Sequence, residues 1–248
     1  MIDIRNIHKA FGDNPVFKGL SLEIFQGETI TIIGGSGSGK SVLFKHIIGL
    51  MKPDSGAILF NGVDITRMSE KELYVWVQKF GMVFQGGALF DSLTVGENVA
   101  FGLKEKHSPE QLERIINESL SQVGLPDIQH MLPAELSGGM KKRVSIARII
   151  ARNPEIIMYD EPTTGLDPIM ADVINNLIIK VARRQPASIT TIVITHDMVS
   201  AYKISDRIAV LFDGRIIETG GPDEIRASAN PVVRQFIEGH ADGPIHIR

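Results

Sequence analysis

The chain has 248 residues, of which 43% are hydrophobic and 22% charged, the balance of a soluble globular protein able to bury a large core. Its formal net charge of -3 supplies no basic field for nucleic acid, and the absence of cysteine excludes disulfides, thiolate metal sites and cysteine nucleophiles. The N-terminus Met1-Ile-Asp-Ile-Arg-Asn has no apolar core of a secretory signal, and no apolar run approaches the ~18 residues of a membrane span, so neither is expected.

In chain order, Ile2, Ile4 and Ile7 sit near strand spacing, Leu20, Leu22 and Ile24 alternate, and a run from Ala57 to Phe60 ends at Asn61-Gly62. These runs predict an antiparallel β-layer near the N-terminus. Phe11-Gly12 lies in its first turn, where the ring is either a stacking platform for a base or a core phenylalanine. Glu28 to Ile33 reads as a buried strand. Val42, Leu43, Phe44, Ile47, Ile48 and Met51 then recur at helical spacing until Pro53. Ser69-Glu-Lys-Glu72 is a capping box for a helix running to about Phe80, and Gly81 to Phe84 a short strand. The segment Gly86 to Thr94 carries Leu89, Phe90 and Leu93, which suit either a docking surface or a hinge packed on its own domain.

Val95 to Asn153 reads as almost wholly helical, with a capping box at Ser108-Pro-Glu-Gln111 and an apolar face of Leu112, Ile115, Ile116, Leu120 and Val123. This interrupts the strand–helix alternation, which predicts a helical insertion in an α/β core. Alternation resumes with the strand Ile156–Tyr159, a helix opened by Asp167-Pro168 and the strand Ile192–Ile194. Ile208 to Glu218 reads as a hairpin around Asp213-Gly214, and Pro222–Ala227 and Val232–Ile237 as short helices.

The strongest chemical signal lies between the buried strand and the first long helix. Gly34-Gly35-Ser36-Gly37-Ser38-Gly39-Lys40-Ser41 fits G-x-x-x-x-G-K-[ST], the phosphate-binding P-loop. Glycines let the backbone curl so that N–H groups converge on a polyphosphate, and the helix N-terminus adds partial positive charge. Lys40 would reach the β- and γ-phosphates of ATP, and the Ser41 hydroxyl would ligate Mg²⁺. Asp160-Glu161 ends a buried strand at the same sheet edge. Asp160 would hold Mg²⁺, and Glu161 would orient or deprotonate the attacking water. His196 and Gln85 also follow strands, each a ligand or a loop anchor. Ser137, Gly138 and Gly139 open a helix, as an ordinary N-cap or as a second anion site that the run Lys141-Lys142-Arg143 would support.

Taken together and in order, Phe11, the P-loop, Gln85, Leu136-Ser-Gly-Gly-Met140, Ile156–Glu161, Gly165-Leu-Asp167 and His196 resemble the ATP-binding cassette (ABC) ATPase family over about residues 1–225. The resemblance implies an α/β fold with a P-loop (RecA-like), mostly parallel sheet, an N-terminal antiparallel β-layer and an inserted helical subdomain. On it, residues 1–227 form the ATPase domain, with the helical subdomain at about 91–153, and 228–248 form a tail assigned to subunit contacts. It also implies a head-to-tail dimer of two copies on two ATP molecules, in which Ser137 and Gly139 meet the partner's γ-phosphate. Phe11 then stacks on adenine, Gln85 serves Mg²⁺ and water, Asp167 crosses the interface and His196 meets the γ-phosphate. Two residues depart from the pattern: Met140 replaces a usual glutamine, and Phe11 a frequent tyrosine.

The segments Phe84–Thr94, Glu135–Met140 and Val233–Pro244 look like the ATP-binding subunit of Mla-type phospholipid transporters. That narrower resemblance implies a peripheral location on the cytoplasmic face of the inner membrane, a permease partner, an MCE-domain protein and a small STAS-domain protein. The alternative is the cassette of a small-molecule transporter, for amino acids for example. A soluble cassette ATPase acting on ribosomes or nucleic acid is disfavoured, because those relatives carry two cassettes, coiled coils or zinc insertions. A non-catalytic binding module is disfavoured by the intact Lys40, Asp160, Glu161 and His196.

Overall fold

A computed structural model describes residues 1–184 and 188–245. The chain opens with β1 (Ile2–Phe11) and β2 (Asn14–Ile24), which pair antiparallel. β3 (Thr29–Ile33) leads through the P-loop into α1 (Lys40–Ile47). β4 (Ser55–Phe60) and β5 (Val63–Asp64) complete a four-stranded antiparallel sheet of order β2-β1-β4-β5. This is the β-layer expected from the alternating isoleucines and leucines.

α2 (Glu70–Val77) and β6 (Phe80–Val83) come next, then α3 (Val95–Val99), α4 (Pro109–Gln122) and α5 (Gly138–Ile150). β7 (Ile156–Asp160), α6 (Pro168–Ala182), β8 (Thr190–Ile194), α7 (Met198–Ile204), β9 (Arg207–Phe212) and β10 (Arg215–Gly220) restore the alternation. α8 (Pro222–Arg226) and α9 (Pro231–Glu238) close the fold. The second sheet has order β10-β9-β3-β8-β7-β6, parallel throughout except for its edge strand β10. β3 thus lies inside the sheet, and the loop after it opens at the carboxyl edge where α/β folds bind ligands.

Side-chain alternation on the strands feeds two cores. Ile156 and Met158 of β7 face a core shared with Ile30, Ile32, α1 and the antiparallel sheet. Ile157 and Tyr159 face the other, built with α3 to α6. The only tryptophan, Trp76 on α2, is edge-on to Phe60 of β4 at 4.4 Å and to Phe80 of β6 at 4.8 Å, so it seals the seam between the two sheets.

Three sequence expectations are corrected. α1 ends at Ile47 rather than near Met51, because Gly49 turns into the left-handed region at φ +78°. α2 stops at Val77, since Phe80 is already a strand residue paired with Ile156. The stretch 95–153 is only partly helical: turns fill 100–107, and turns and a 3₁₀ turn fill 123–135. The apolar residues there pack onto the α5 core from irregular backbone, which periodicity cannot separate from helix. The capping box at Ser108 is present, and a second one at Thr94–Glu97 starts α3.

α9 lays Val233 into a third core with Ile33, Ile208, Val210 and Ile225, so residues 231–238 pack on their own chain. Gln235 anchors the chain beyond α9: its amide nitrogen donates to the carbonyl of Ile245 at 3.1 Å, and its oxygen accepts from the Ile245 N–H at 2.6 Å. Residues 246–248 of the expected tail lie outside the described residues.

His46 on α1 is fully buried behind the P-loop. Its Nδ1 donates to the Val42 carbonyl at 2.8 Å, and its ring meets Phe17 edge-on at 5.3 Å. Burial pushes its pKa down, with Lys9 acting the same way and Asp54 against it. Folded His46 therefore stays neutral where the unfolded chain takes up a proton near pH 6.5, so stability is lost as pH falls below that value. Thermal melts at pH 7.5 and pH 5.5 should show a smaller loss of Tm in His46→Phe than in the parent; equal losses would rule out His46 as the cause.

Candidate nucleotide site

The site is a product of strand ends. β3, β6, β7 and β8 run parallel and finish at one edge, delivering the P-loop, Gln85, Asp160-Glu161 and Thr195-His196. The P-loop curls through Gly37 and Gly39, both left-handed, at φ +75° and +100°. Gly34 is needed for a different reason. A Cβ there would stand 2.4 Å from the Leu211 carbonyl oxygen of β9, so the loop can leave β3 only where no side chain intervenes. Lys40 Nζ donates to the carbonyls of Gly34 at 2.8 Å and Gly35 at 3.0 Å, which centres the ammonium in the loop. The Ser38 hydroxyl is buried without a partner among the described residues, Ser36 is exposed, and Ser41 sits exposed on the first turn of α1.

Charge is concentrated across the edge. Burial pushes the Asp160 carboxyl above its ordinary range, and Glu161 adds to this while Lys40 opposes it. Burial likewise lowers Lys40, against the pull of Glu161 and Asp160. A partly desolvated carboxylate is a hard oxygen donor of the kind Mg²⁺ takes, and the exposed Ser41 hydroxyl and Gln85 amide carry oxygens of the same kind.

Glu161 takes the left-handed conformation at φ +50°, which is costly outside glycine and is held by its surroundings. Its N–H donates to the Ile194 carbonyl of β8 at 2.9 Å. Its carboxylate accepts from Thr164 Oγ1 at 3.0 Å and from Thr195 Oγ1 at 3.4 Å, and lies 3.0 Å from His196 Nδ1. The structure thus brings together Glu161 and His196, which the sequence offered separately.

Other predicted residues lie elsewhere. The Phe11 ring is 47% exposed, so it is not a core phenylalanine, and the Lys9 ammonium lies over it, 5.7 Å from the ring centroid. Gln85 is exposed just beyond β6. Ser137 caps α5, accepting from the Met140 N–H at 3.2 Å, with Gly138 exposed and Gly139 buried against Met170. No hydrogen bond among the described residues joins this signature segment to the P-loop. Asp167 caps α6 through the N–H groups of Ile169 and Met170, both at 3.0 Å.

In the run Lys141-Lys142-Arg143, the second and third residues bind backbone carbonyls of their own chain. Lys142 is buried, and its ammonium donates to the carbonyls of Pro162 at 2.6 Å and Thr164 at 2.8 Å, pinning the turn after Glu161. Arg143 donates to the Gly124 carbonyl at 3.3 Å, beyond the C-terminus of α4. Asn98, which sequence reasoning missed, is fully buried. Its amide bonds to Phe90, Leu93 and Thr94 hold the 86–94 loop, so that Leu89 packs inward while Phe84 and Phe90 stay exposed. Its partners lie four to eight residues away, at spacings that carry no pattern.

Residues 17–164 match the family model described as ABC transporter. Over 99% of this chain and 75% of the relative, 40% of residues are identical to the chloroplastic protein TRIGALACTOSYLDIACYLGLYCEROL 3 of Arabidopsis thaliana. Identity is 39% to the intermembrane phospholipid transport system ATP-binding protein MlaF of Haemophilus influenzae, covering 100% of this chain and 94% of that one. It is 38% to the probable ribonucleotide transport ATP-binding protein mkl of Mycobacterium leprae, covering 98% and 70%. A solved dimeric ATP-binding cassette, described as a post-hydrolysis state bound to ADP and Pi, superposes with a TM-score of 0.79 at 32% identity, over 90% of this chain and 99% of that one.

The tight fit of Gly34 makes a sharp test. In Gly34→Ala, β9 or the loop must shift, and calorimetric titration should show ATP affinity weakened by about tenfold or more, a loss of ~1.4 kcal/mol. Parental affinity would mean that the contact with Leu211 does not set the loop.

Proposed function

The chain belongs to the ABC transporter family of ATP-binding cassettes, and on that premise we propose that it is the ATP-hydrolysing subunit of a phospholipid transporter. It is an ATPase whose phosphate chemistry falls to groups at one sheet edge. The observation that carries the catalytic reading is the meeting of Glu161 and His196 beside Lys40 and Asp160. The phospholipid reading rests on the likeness to MlaF along the whole chain.

The P-loop backbone from Gly34 to Gly39 and the α1 N-terminus bind the phosphates, and Lys40 neutralises charge on the β- and γ-phosphoryl oxygens. Ser41, Gln85 and Asp160 would hold Mg²⁺, which when bound neutralises phosphate charge. Glu161 accepts the proton of the attacking water. His196, fixed on Glu161 through Nδ1, presents its other nitrogen to the γ-phosphate. Phe11 stacks on the adenine.

Two copies close head to tail, so that Ser137, Gly138 and Gly139 of one face the γ-phosphate held by the other, with Asp167 contacting across the interface. The exposed Ser137 at a helix N-terminus, with no bond to its own P-loop, supports that arrangement. A membrane permease docks near the exposed Phe84 and Phe90, and the 86–94 loop carries closure to it. No helix among the described residues is long and apolar enough to cross a membrane, which suits a peripheral subunit on the cytoplasmic face of the inner membrane. An MCE-domain protein and a small STAS-domain protein complete the assembly. We assign residues 1–227, with a helical subdomain at about 91–153, to the ATPase domain. A second reading, transport of a small molecule, is kept by the mycobacterial relative named for ribonucleotide transport.

Glu161→Gln should keep ATP binding and form a stable ATP-bound dimer on size-exclusion chromatography, while turnover falls by roughly 10²–10⁴, the usual worth of a positioned general base. Near-parental turnover would remove Glu161 from that role. For the cargo, the N-terminally tagged chain purified from detergent-solubilised membranes should bring down a permease, an MCE-domain protein and phospholipid, identified by mass spectrometry. A different permease without lipid would favour the small-molecule reading.

A further inference from the structure

A polar cluster behind the site serves none of the roles above. Asn175 on α6, Ser200 on α7 and Thr163 in the turn after Glu161 are all buried. Asn175 Nδ2 donates to Ser200 Oγ at 2.8 Å. Ser200 Oγ donates in turn to Asp197 Oδ2 at 2.5 Å and lies 3.5 Å from Thr163 Oγ1. Asp197 comes directly after His196; its other oxygen caps α7 through the Val199 N–H at 3.0 Å, and its own N–H donates to Thr195 Oγ1 at 3.1 Å.

The three-residue link Thr195-His196-Asp197 is therefore clamped at both ends. Thr195 is held by Glu161, and Asp197 by Ser200, which Asn175 holds from the neighbouring helix. His196 itself is exposed and has only the Glu161 carboxylate as a side-chain partner among the described residues. Its aim is fixed by its flanks.

Stability alone does not explain Asn175. Its Oδ1 is buried with no partner among the described residues, a destabilising arrangement that an apolar side chain would relieve. A cleft of about 380 Å³, lined by Asn175, Ser200 and Asp172, gives a larger side chain room. Asn175 also lies two turns along the helix that Asp167 caps. α6 is continuous over that distance, so the Thr163–Asp167 turn is joined to Asn175 through one helix and to Ser200 through the Asn175 hydrogen bond.

We propose that Asn175 and Ser200 are positioning residues that brace the His196 segment against α6 and so align His196 for ATP hydrolysis. The proposal rests on the reading of His196 given above. Contact of Asp167 with a second copy then bears on the His196 of the same chain, through two side chains that never touch nucleotide.

The test compares Asn175→Leu, Ser200→Ala and His196→Ala in the full chain with Mg-ATP. Asn175→Leu should keep or raise Tm while kcat falls about five- to tenfold, inside the ~10²-fold that a 1 Å misplacement can cost, with KM within twofold of the parent. A structural role would lower Tm and activity together. Ser200→Ala should show the same kcat defect, and the double variant no more than the larger single effect, as for residues in one network. In histidine-selective ¹⁵N spectra, assigned by loss of a signal in His196→Ala, the His196 imidazole resonances should shift in both brace variants. Parental kcat and unshifted His196 resonances in Asn175→Leu, with His196→Ala impaired, would overturn the brace alone. Full turnover in His196→Ala would overturn the reading of His196 and the brace with it. Failure of both brace variants to fold would make the pair structural and also overturn the proposal.

Discussion

Glu161 is the residue on which the rest of the site depends. Its backbone occupies a region that L-residues avoid, and a bond from its N–H to the next strand holds it there. Its carboxylate collects two hydroxyls and an imidazole. A side chain on an ordinary extended strand end would continue the alternation of β7 and point away. The turn that strains the backbone is also the one that Lys142 pins from below. Local cost and local function coincide, as at many catalytic positions.

The parallel sheet supplies the frame. Four strands must end in register for the P-loop, Gln85, Asp160, Glu161 and His196 to share an edge, and register is set by which residues are buried on each face. Ile156 and Met158 are committed to one core and Ile157 and Tyr159 to the other, so a one-residue slip of β7 would exchange all four between two cores shaped for different side chains. Burial is strong enough to hold even poor choices. Tyr159 keeps a buried hydroxyl without a partner among the described residues, at a cost of ~1–3 kcal/mol.

Much of this was legible in the sequence because the signals are local. The P-loop, the capping boxes, the Asp213-Gly214 hairpin and the strand ends each lie within a dozen residues, and the structure has them where periodicity and turn chemistry put them. What was not legible depends on distant partners. Lys142 sits in a charge run that reads as support for an anion site, yet its carbonyls come from 20 and 22 residues away. Asn175 and Ser200 are 25 residues apart, and neither stands out in its own helix. The stretch 95–153 misled for the converse reason: leucines and isoleucines recur at helical spacing even where the backbone turns. Phe11 was ambiguous until exposure decided between a ring in the core and a ring at the surface.

The single tryptophan also makes the protein its own optical instrument. Trp76 is packed between one ring from the antiparallel sheet and one from the parallel sheet, and its indole N–H is buried without a partner among the described residues. Its emission comes from one place and starts from a dry, apolar setting. A change in how the two sheets meet would alter its wavelength or its quenching without any attached dye. With no cysteine in the chain, a single introduced thiol could carry an energy acceptor at a chosen site. Distances from the seam could then be tracked in time on one molecule.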